Sequence, residues 1–98
     1  MTFTLLFQKE AARQLESLRN TPGLQIQAKA VLKALANLEI NPKHPSLQTH
    51  KYQSITGPFG KPVFEAYAQN KTPAAYRIFW CYGPEKDQIT ILTITAHP

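Results

Sequence analysis

At 98 residues the chain has room for one domain and not two. With 43% apolar and 17% charged residues it is too apolar for a disordered chain, and its single cysteine, Cys81, excludes an internal disulfide and a cysteine-based zinc site. A formal charge of +5 favours anionic partners (nucleic acid, an acidic protein or a membrane face) without choosing among them.

The opening Met1-Thr-Phe-Thr-Leu-Leu-Phe7 is apolar but lacks the charged start, long apolar run and cleavage site of a secretory leader. No stretch approaches the ~20 apolar residues of a membrane span. A cytoplasmic protein with no membrane partner is the expectation. Phe3, Leu5 and Phe7 alternate with Thr4 and Leu6, which predicts a short first strand with its odd residues inward. From Gln8 the period changes: Phe7, Ala11, Leu15 and Leu18 fall at helical spacing, predicting a helix over 8–19 closed by Asn20. Thr21-Pro22 reads as the start of a second helix, with Thr as N-cap and Pro at the first helical position. Its apolar stripe is Leu24, Ala28, Val31, Leu35 and Leu38, and Asn41-Pro42 stops it. The two helices are expected to form an antiparallel hairpin.

Residues 41–61 shift to Pro, His, Ser, Gln and Gly, predicting a loop with a weak strand at His50-Lys51-Tyr52-Gln53 and a turn at Gly57-Pro-Phe-Gly60. Three firmer strands follow, at 63–68, 75–82 and 89–95. Their connections are short and rich in turn formers, so the strands form an antiparallel meander. The fold class is therefore α+β: an N-terminal strand and a two-helix hairpin packed on one face of an antiparallel sheet, as a single domain over 1–98.

Side chains alternate between the faces of a strand, so the residues divide into two sets. Phe64, Ala66, Ala68, Tyr76, Ile78, Trp80, Leu92 and Ile94 form an apolar set suited to the helices. Glu65, Tyr67, Arg77, Phe79, Cys81, Thr93, Thr95 and, one step further, His97 form the other. Singly, each polar member has an ordinary explanation. A strand Arg pairs with a carboxylate, here Glu65; a strand Tyr packs; a His near a terminus is solvated. Together they place a cation, a carboxylate, a phenol and an imidazole on one half-solvated face.

In this order His44-Pro-Ser-Leu47, Val63-Phe-Glu-Ala-Tyr67, Ala75-Tyr-Arg-Ile-Phe-Trp80 and Ile89-Thr-Ile-Leu-Thr-Ile-Thr-Ala-His97 resemble the RelE/ParE superfamily of bacterial type II toxins. The resemblance covers essentially the whole chain, and Tyr76-Arg77 and His97 are its best matches. It implies the toxin of a toxin–antitoxin system: an endoribonuclease that cuts mRNA on the ribosome and so blocks translation. It also implies a cognate antitoxin, and a homodimer or a toxin–antitoxin hetero-oligomer. Arg77 matches the arginine that braces the scissile phosphate and His97 the histidine that serves as acid or base. Glu65 and Tyr67 fall, more loosely, where other members place a carboxylate and a basic or aromatic residue. Many active members carry an Arg, Lys or Tyr beyond the last strand, where this sequence has only His97-Pro98. That departure keeps open an alternative of the same fold, a non-cleaving binding module such as a gyrase-blocking ParE-like toxin or a degenerate member.

Cleavage without a metal needs the 2′-hydroxyl deprotonated, the departing 5′-oxygen protonated and the phosphoryl charge offset, and positioning and electrostatics dominate. Arg77 can supply fixed charge, because guanidinium stays protonated and can hold two oxygens. His97 suits acid or base, Glu65 is the complementary base, and Tyr67 can stack or donate a proton. His50, Lys51, Lys61 and Lys71 are the expected RNA-binding residues. His44 and His50, six apart with no third ligand, do not make a metal motif, and no cofactor is expected. Cys81 reads as an inert strand residue. In a bacterial growth assay Arg77→Ala is expected to cost more activity than His97→Ala; equal, undiminished toxicity of both variants would remove this assignment.

Overall fold

In the computed structural model, which describes residues 2–97, the chain runs β1 (Thr4–Phe7), α1 (Lys9–Asn20), α2 (Gln25–Ile40), β2 (His50–Thr56), β3 (Pro62–Tyr67), β4 (Tyr76–Tyr82) and β5 (Gln88–Ala96). Single 3-10 turns, Pro45–Leu47 and Pro58–Gly60, precede and follow β2. Both helices lie on one face of a five-stranded sheet of order β1-β5-β4-β3-β2, which gives the expected α+β class. No helix among the described residues is long and apolar enough to cross a membrane.

The helices form where apolar spacing predicts them. Ala11 and Leu18 of α1, with Ala28, Val31, Ala34, Leu35 and Leu38 of α2, pack on Ala66, Ile78, Trp80, Ile89, Ile91 and Ile94. Burial of this stripe, rather than capping, positions α2, since neither helix has a side-chain cap at its start. Thr21-Pro22 does not open the second helix. Thr21 ends α1, its hydroxyl donating to the Ser17 carbonyl at 2.6 Å, and Gly23 at φ 88 reverses the chain before Leu24. A left-handed residue at that point interrupts any continuous helix, so α2 begins at Gln25.

β2 to β5 form the expected antiparallel meander. β1, however, joins β5 in parallel, in the register Thr4↔Gln88 to Phe7↔Ile91, so the sheet is mixed rather than antiparallel throughout. β1 ends there, and beyond it α1 supplies the partner that a strand would have supplied: Ile94 N–H donates to Gln14 Oε1 at 2.7 Å.

One irregularity reorganises β5. Phe79 pairs with Thr93 but Trp80 pairs with Ile91, so Leu92 has no partner of its own. Such a bulge reverses the alternation on either side of it. Ile89 and Ile91 turn to the helices, whereas Leu92, assigned from sequence to the helical face, joins Val63 and Cys81 in a second apolar cluster on the opposite face, with Tyr52 and Phe79 against it. β2 and β3 pair at His50↔Glu65, Lys51↔Phe64 and Tyr52↔Val63, then only at Thr56↔Pro62, so residues 53–55 loop out.

Gly57 begins the turn between them. A Cβ there would lie 2.9 Å from the Lys61 carbonyl oxygen and 3.0 Å from Val63 Cγ2. Gly57→Ala is therefore expected to destabilise the fold by about 1–3 kcal/mol through overpacking, read as a lowered denaturation midpoint at unchanged m-value. An unshifted midpoint would show that the turn is free to move.

Candidate functional site

The face turned away from the helices gathers charge at one end. There the strand register sets the neighbours. His50 of β2 stands directly opposite Glu65 of β3, Tyr67 of β3 opposite Arg77 of β4, and Arg77 opposite Thr95 of β5. Side chains opposite one another in antiparallel strands come into contact. The His50 ring places Nε2 2.8 Å from Glu65 Oε1 and Nδ1 3.1 Å from the Gln48 carbonyl. Both ring nitrogens thus face acceptors, so both contacts are hydrogen bonds only when the ring carries two protons.

Arg77 lies diagonally across from Glu65. Its Nε, buried and without a hydrogen-bond partner, is 3.6 Å from Glu65 Oε2, and one terminal nitrogen donates to the Gln69 carbonyl at 2.9 Å. The guanidinium carbon sits 3.8 Å from the centre of the Tyr67 ring, and the His50 ring meets Tyr67 edge-on at 5.7 Å. The four residues form one unit: a carboxylate between an imidazole and a guanidinium, with a phenol ring packed against both.

The four are unequally accessible. The side chains of Glu65 and Arg77 are 10% and 11% exposed, that of His50 47%. Glu65 is thus enclosed by its two partners, Tyr67 is half-buried, and His50 is the more open end of the pair. Sequence reasoning placed Glu65, Tyr67 and Arg77 together correctly. It missed that His50, taken as part of a basic rim, is bonded into their centre. The signal was weak, because fifteen residues separate His50 from Glu65 and only the pairing of β2 with β3 joins them.

His97 lies just past β5. Its N–H donates to the Ala75 carbonyl at 2.7 Å, continuing the register of the pair Arg77↔Thr95 by one further step on that face. By strand alternation its side chain leaves on the Arg77 side, away from the helices. Lys51 pairs with Phe64 and so alternates to the opposite side from His50, which separates the two residues expected to share a rim. Lys61 and Lys71 are exposed, Lys61 before β3 and Lys71 in the β3–β4 connection. His44 is structural: its Nδ1 accepts the Ser46 N–H at 3.1 Å and caps the turn Pro45–Leu47. Among the described residues no group of three His, Cys, Asp or Glu side chains is placed to hold a metal ion. Cys81 is buried, and burial pushes its thiol up, partly offset by the Lys61 ammonium. The thiol is thereby kept protonated and unreactive.

Neither a family model nor a curated protein sequence matches the chain. Solved structures do. Over 98% of this chain and 100% of the other, a YoeB/ParE toxin from Agrobacterium tumefaciens superposes with a TM-score of 0.72 at 9% identity. RelE in the archaeal RelE–RelB complex of Pyrococcus horikoshii gives 0.65 at 18% identity, covering 98% and 96%. The YoeB dimer of Staphylococcus aureus gives 0.65 at 10% identity over the full length of both chains. The chain has the fold of the RelE/ParE toxins.

Proposed function

We propose that this chain, built on the RelE/ParE toxin fold, is the toxin of a toxin–antitoxin pair and acts as a metal-independent endoribonuclease on mRNA. The single observation that carries the reading is the His50–Glu65–Arg77–Tyr67 unit on the sheet face that the helices leave open. Glu65 orients the His50 ring through Nε2, as a carboxylate orients an imidazole in other acid–base pairs. With Nε2 on Glu65, His50, half exposed, exchanges protons with the RNA through Nδ1, whose longer contact to the Gln48 carbonyl the substrate displaces, and His97 takes the complementary role on the far side of Arg77. The 2′-oxygen attacks the adjacent phosphorus as its proton leaves to one imidazole. The bond to the 5′-oxygen breaks as the other imidazole protonates it, leaving a 2′,3′-cyclic phosphate and a 5′-hydroxyl end. Arg77, braced by Gln69 and Tyr67, offsets the charge that grows on the phosphoryl oxygens.

The partners follow from the same face. An antitoxin chain covering it would silence the protein by occluding His50. The neighbouring proteins include RelE bound to RelB and a YoeB dimer, which supports an antitoxin partner and a second copy of this chain as assembly states. Cutting mRNA during translation requires the ribosome as the platform and places the reaction in the cytoplasm. Inducing the gene in bacteria and mapping transcript 5′ ends tests the proposal. Codon-phased cuts bearing 5′-hydroxyls are expected; intact transcripts accompanied by DNA damage would replace it with gyrase poisoning.

A further inference from the structure

The open face does not end at the charged unit. From Arg77 it continues along β4 past Phe79, whose ring meets Tyr52 edge-on at 5.0 Å, to Cys81, packed with Val63 and Leu92. At that far end the turn Pro58–Gly60 lies across the sheet: the Cβ position of Gly57 is 3.7 Å from Cys81 Cβ, and the Phe59 ring reaches within 3.5 Å of the Cβ position of Gly83. Gly83 lies six residues beyond Arg77, roughly 20 Å along the strand direction.

Phe59 is unusual twice over. Its backbone is left-handed, at φ 63 and ψ 13, a conformation that a bulky side chain disfavours and glycine accepts. Yet the ring that this strain holds in place is 54% exposed, so core packing does not account for it. Strain of this kind in a solvated residue points to a job done by the side chain. The segment that carries it is basic in sequence, and Glu85 and Asp87 enter only in the β4–β5 turn beyond Gly83. Between Glu39 and Glu85 the only acid is Glu65, already paired with His50 and Arg77, whereas Lys43, Lys51, Lys61, Lys71 and Arg77 all fall in that interval. Lys61 follows the turn directly with an extended backbone, at φ −93 and ψ 151, and by alternation falls on the same face as Val63 two residues on.

An exposed aromatic ring beside a lysine, on the face that leads to the proposed phosphate-cleaving unit, has the chemistry of a single-strand binding platform. We infer that Phe59 is a second RNA contact: its ring stacks on an unpaired base of the strand cut at His50 and Arg77, while Lys61 holds an adjacent phosphate. The inference rests on the ribonuclease reading and names how the substrate is anchored. A single strand passing from Arg77 to Phe59 crosses the half-buried rings of Tyr52 and Phe79 on its way to the exposed one. A duplex cannot offer its bases to them.

The test uses a short 2′-O-methyl single strand, which binds but cannot be cleaved, and the same sequence as a duplex. Wild type is expected to prefer the single strand. Phe59→Ala is expected to weaken binding roughly ten-fold or more, Phe59→Trp to restore it, and Lys61→Gln to reduce the salt dependence by about 0.7 in log–log slope. Phe59→Gly serves as the folding control, because it relieves the left-handed backbone: it should keep the melting temperature within a few degrees and still lose the affinity. Wild-type affinity in Phe59→Ala and Phe59→Gly would overturn this inference alone, and would point to a protein rather than RNA at the tip. Preference for the duplex would also overturn it. Failure of the wild type to bind either probe would overturn the inference that the chain itself anchors the strand, while intact transcripts on mapping 5′ ends would overturn the ribonuclease reading.

Discussion

Replacing His50 by alanine is expected to lower RNA cleavage by about 10²–10⁴-fold and to leave the fold standing. Two features separate the effects. The ring is half exposed and sits on β2, an edge strand of the sheet, so its loss leaves little apolar surface uncovered. Its nitrogens, by contrast, are held by Glu65 and the Gln48 carbonyl in one orientation, which an alanine cannot reproduce and solvent water replaces poorly. His50→Gln sharpens the test. Its amide can still donate to Glu65 but cannot shuttle a proton, so it should fail as alanine does. Cleavage of a translated mRNA by purified protein in the presence of ribosomes, beside matched thermal melts of the protein, gives both readouts. Full turnover by His50→Ala would mean that the imidazole only pins β2 to β3, and the acid–base role would pass to His97 alone.

Glu65→Ala is expected to cost stability first and activity as a consequence. The carboxylate and the Arg77 guanidinium are both about nine-tenths enclosed, and removing one partner strands the other charge in a poorly hydrated place. Losses from breaking such buried pairs run to about 3–5 kcal/mol. The 3.6 Å separation and the second anchor of Arg77 on Gln69 place the expectation at the lower end, about 2–4 kcal/mol. For a domain of this length, with a total of about 5–15 kcal/mol, that is a large fraction. Urea denaturation should therefore show a strongly lowered midpoint for Glu65→Ala and a smaller drop for Glu65→Gln, which keeps the shape. Combining Glu65→Ala with Arg77→Ala should cost at least about 1 kcal/mol less than the sum of the two, because the double variant has no orphaned charge. Strict additivity would show that the pair is a neighbourhood and not an interaction.

Most of what the residue pattern can express is local, and the local part was readable. Ala28, Val31, Leu35 and Leu38 recur at helical spacing and are buried where that spacing puts them. Phe64, Ala66, Ile78 and Trp80 alternate and face the helices as alternation requires. The same rule brought Glu65, Tyr67 and Arg77 to one surface, because each lies in an uninterrupted strand. It failed at Leu92 for a definite reason. A run such as Ile89-Thr-Ile-Leu-Thr-Ile has acceptable apolar patterns in either phase, and nothing within the run says which residue goes unpaired.

The amino-acid order alone determined the helices, the strands, the α+β class and three of the four members of the charged unit. The tertiary structure decided the rest: β1 beside β5 in parallel, Leu92 turned out of the helical core, Lys51 parted from its neighbour, and His50 bonded to a carboxylate fifteen residues away. Periodicity is a property of neighbouring residues and can be read from them. Register between strands is chosen by the packing of both sheet faces at once, and so exists only in the folded chain.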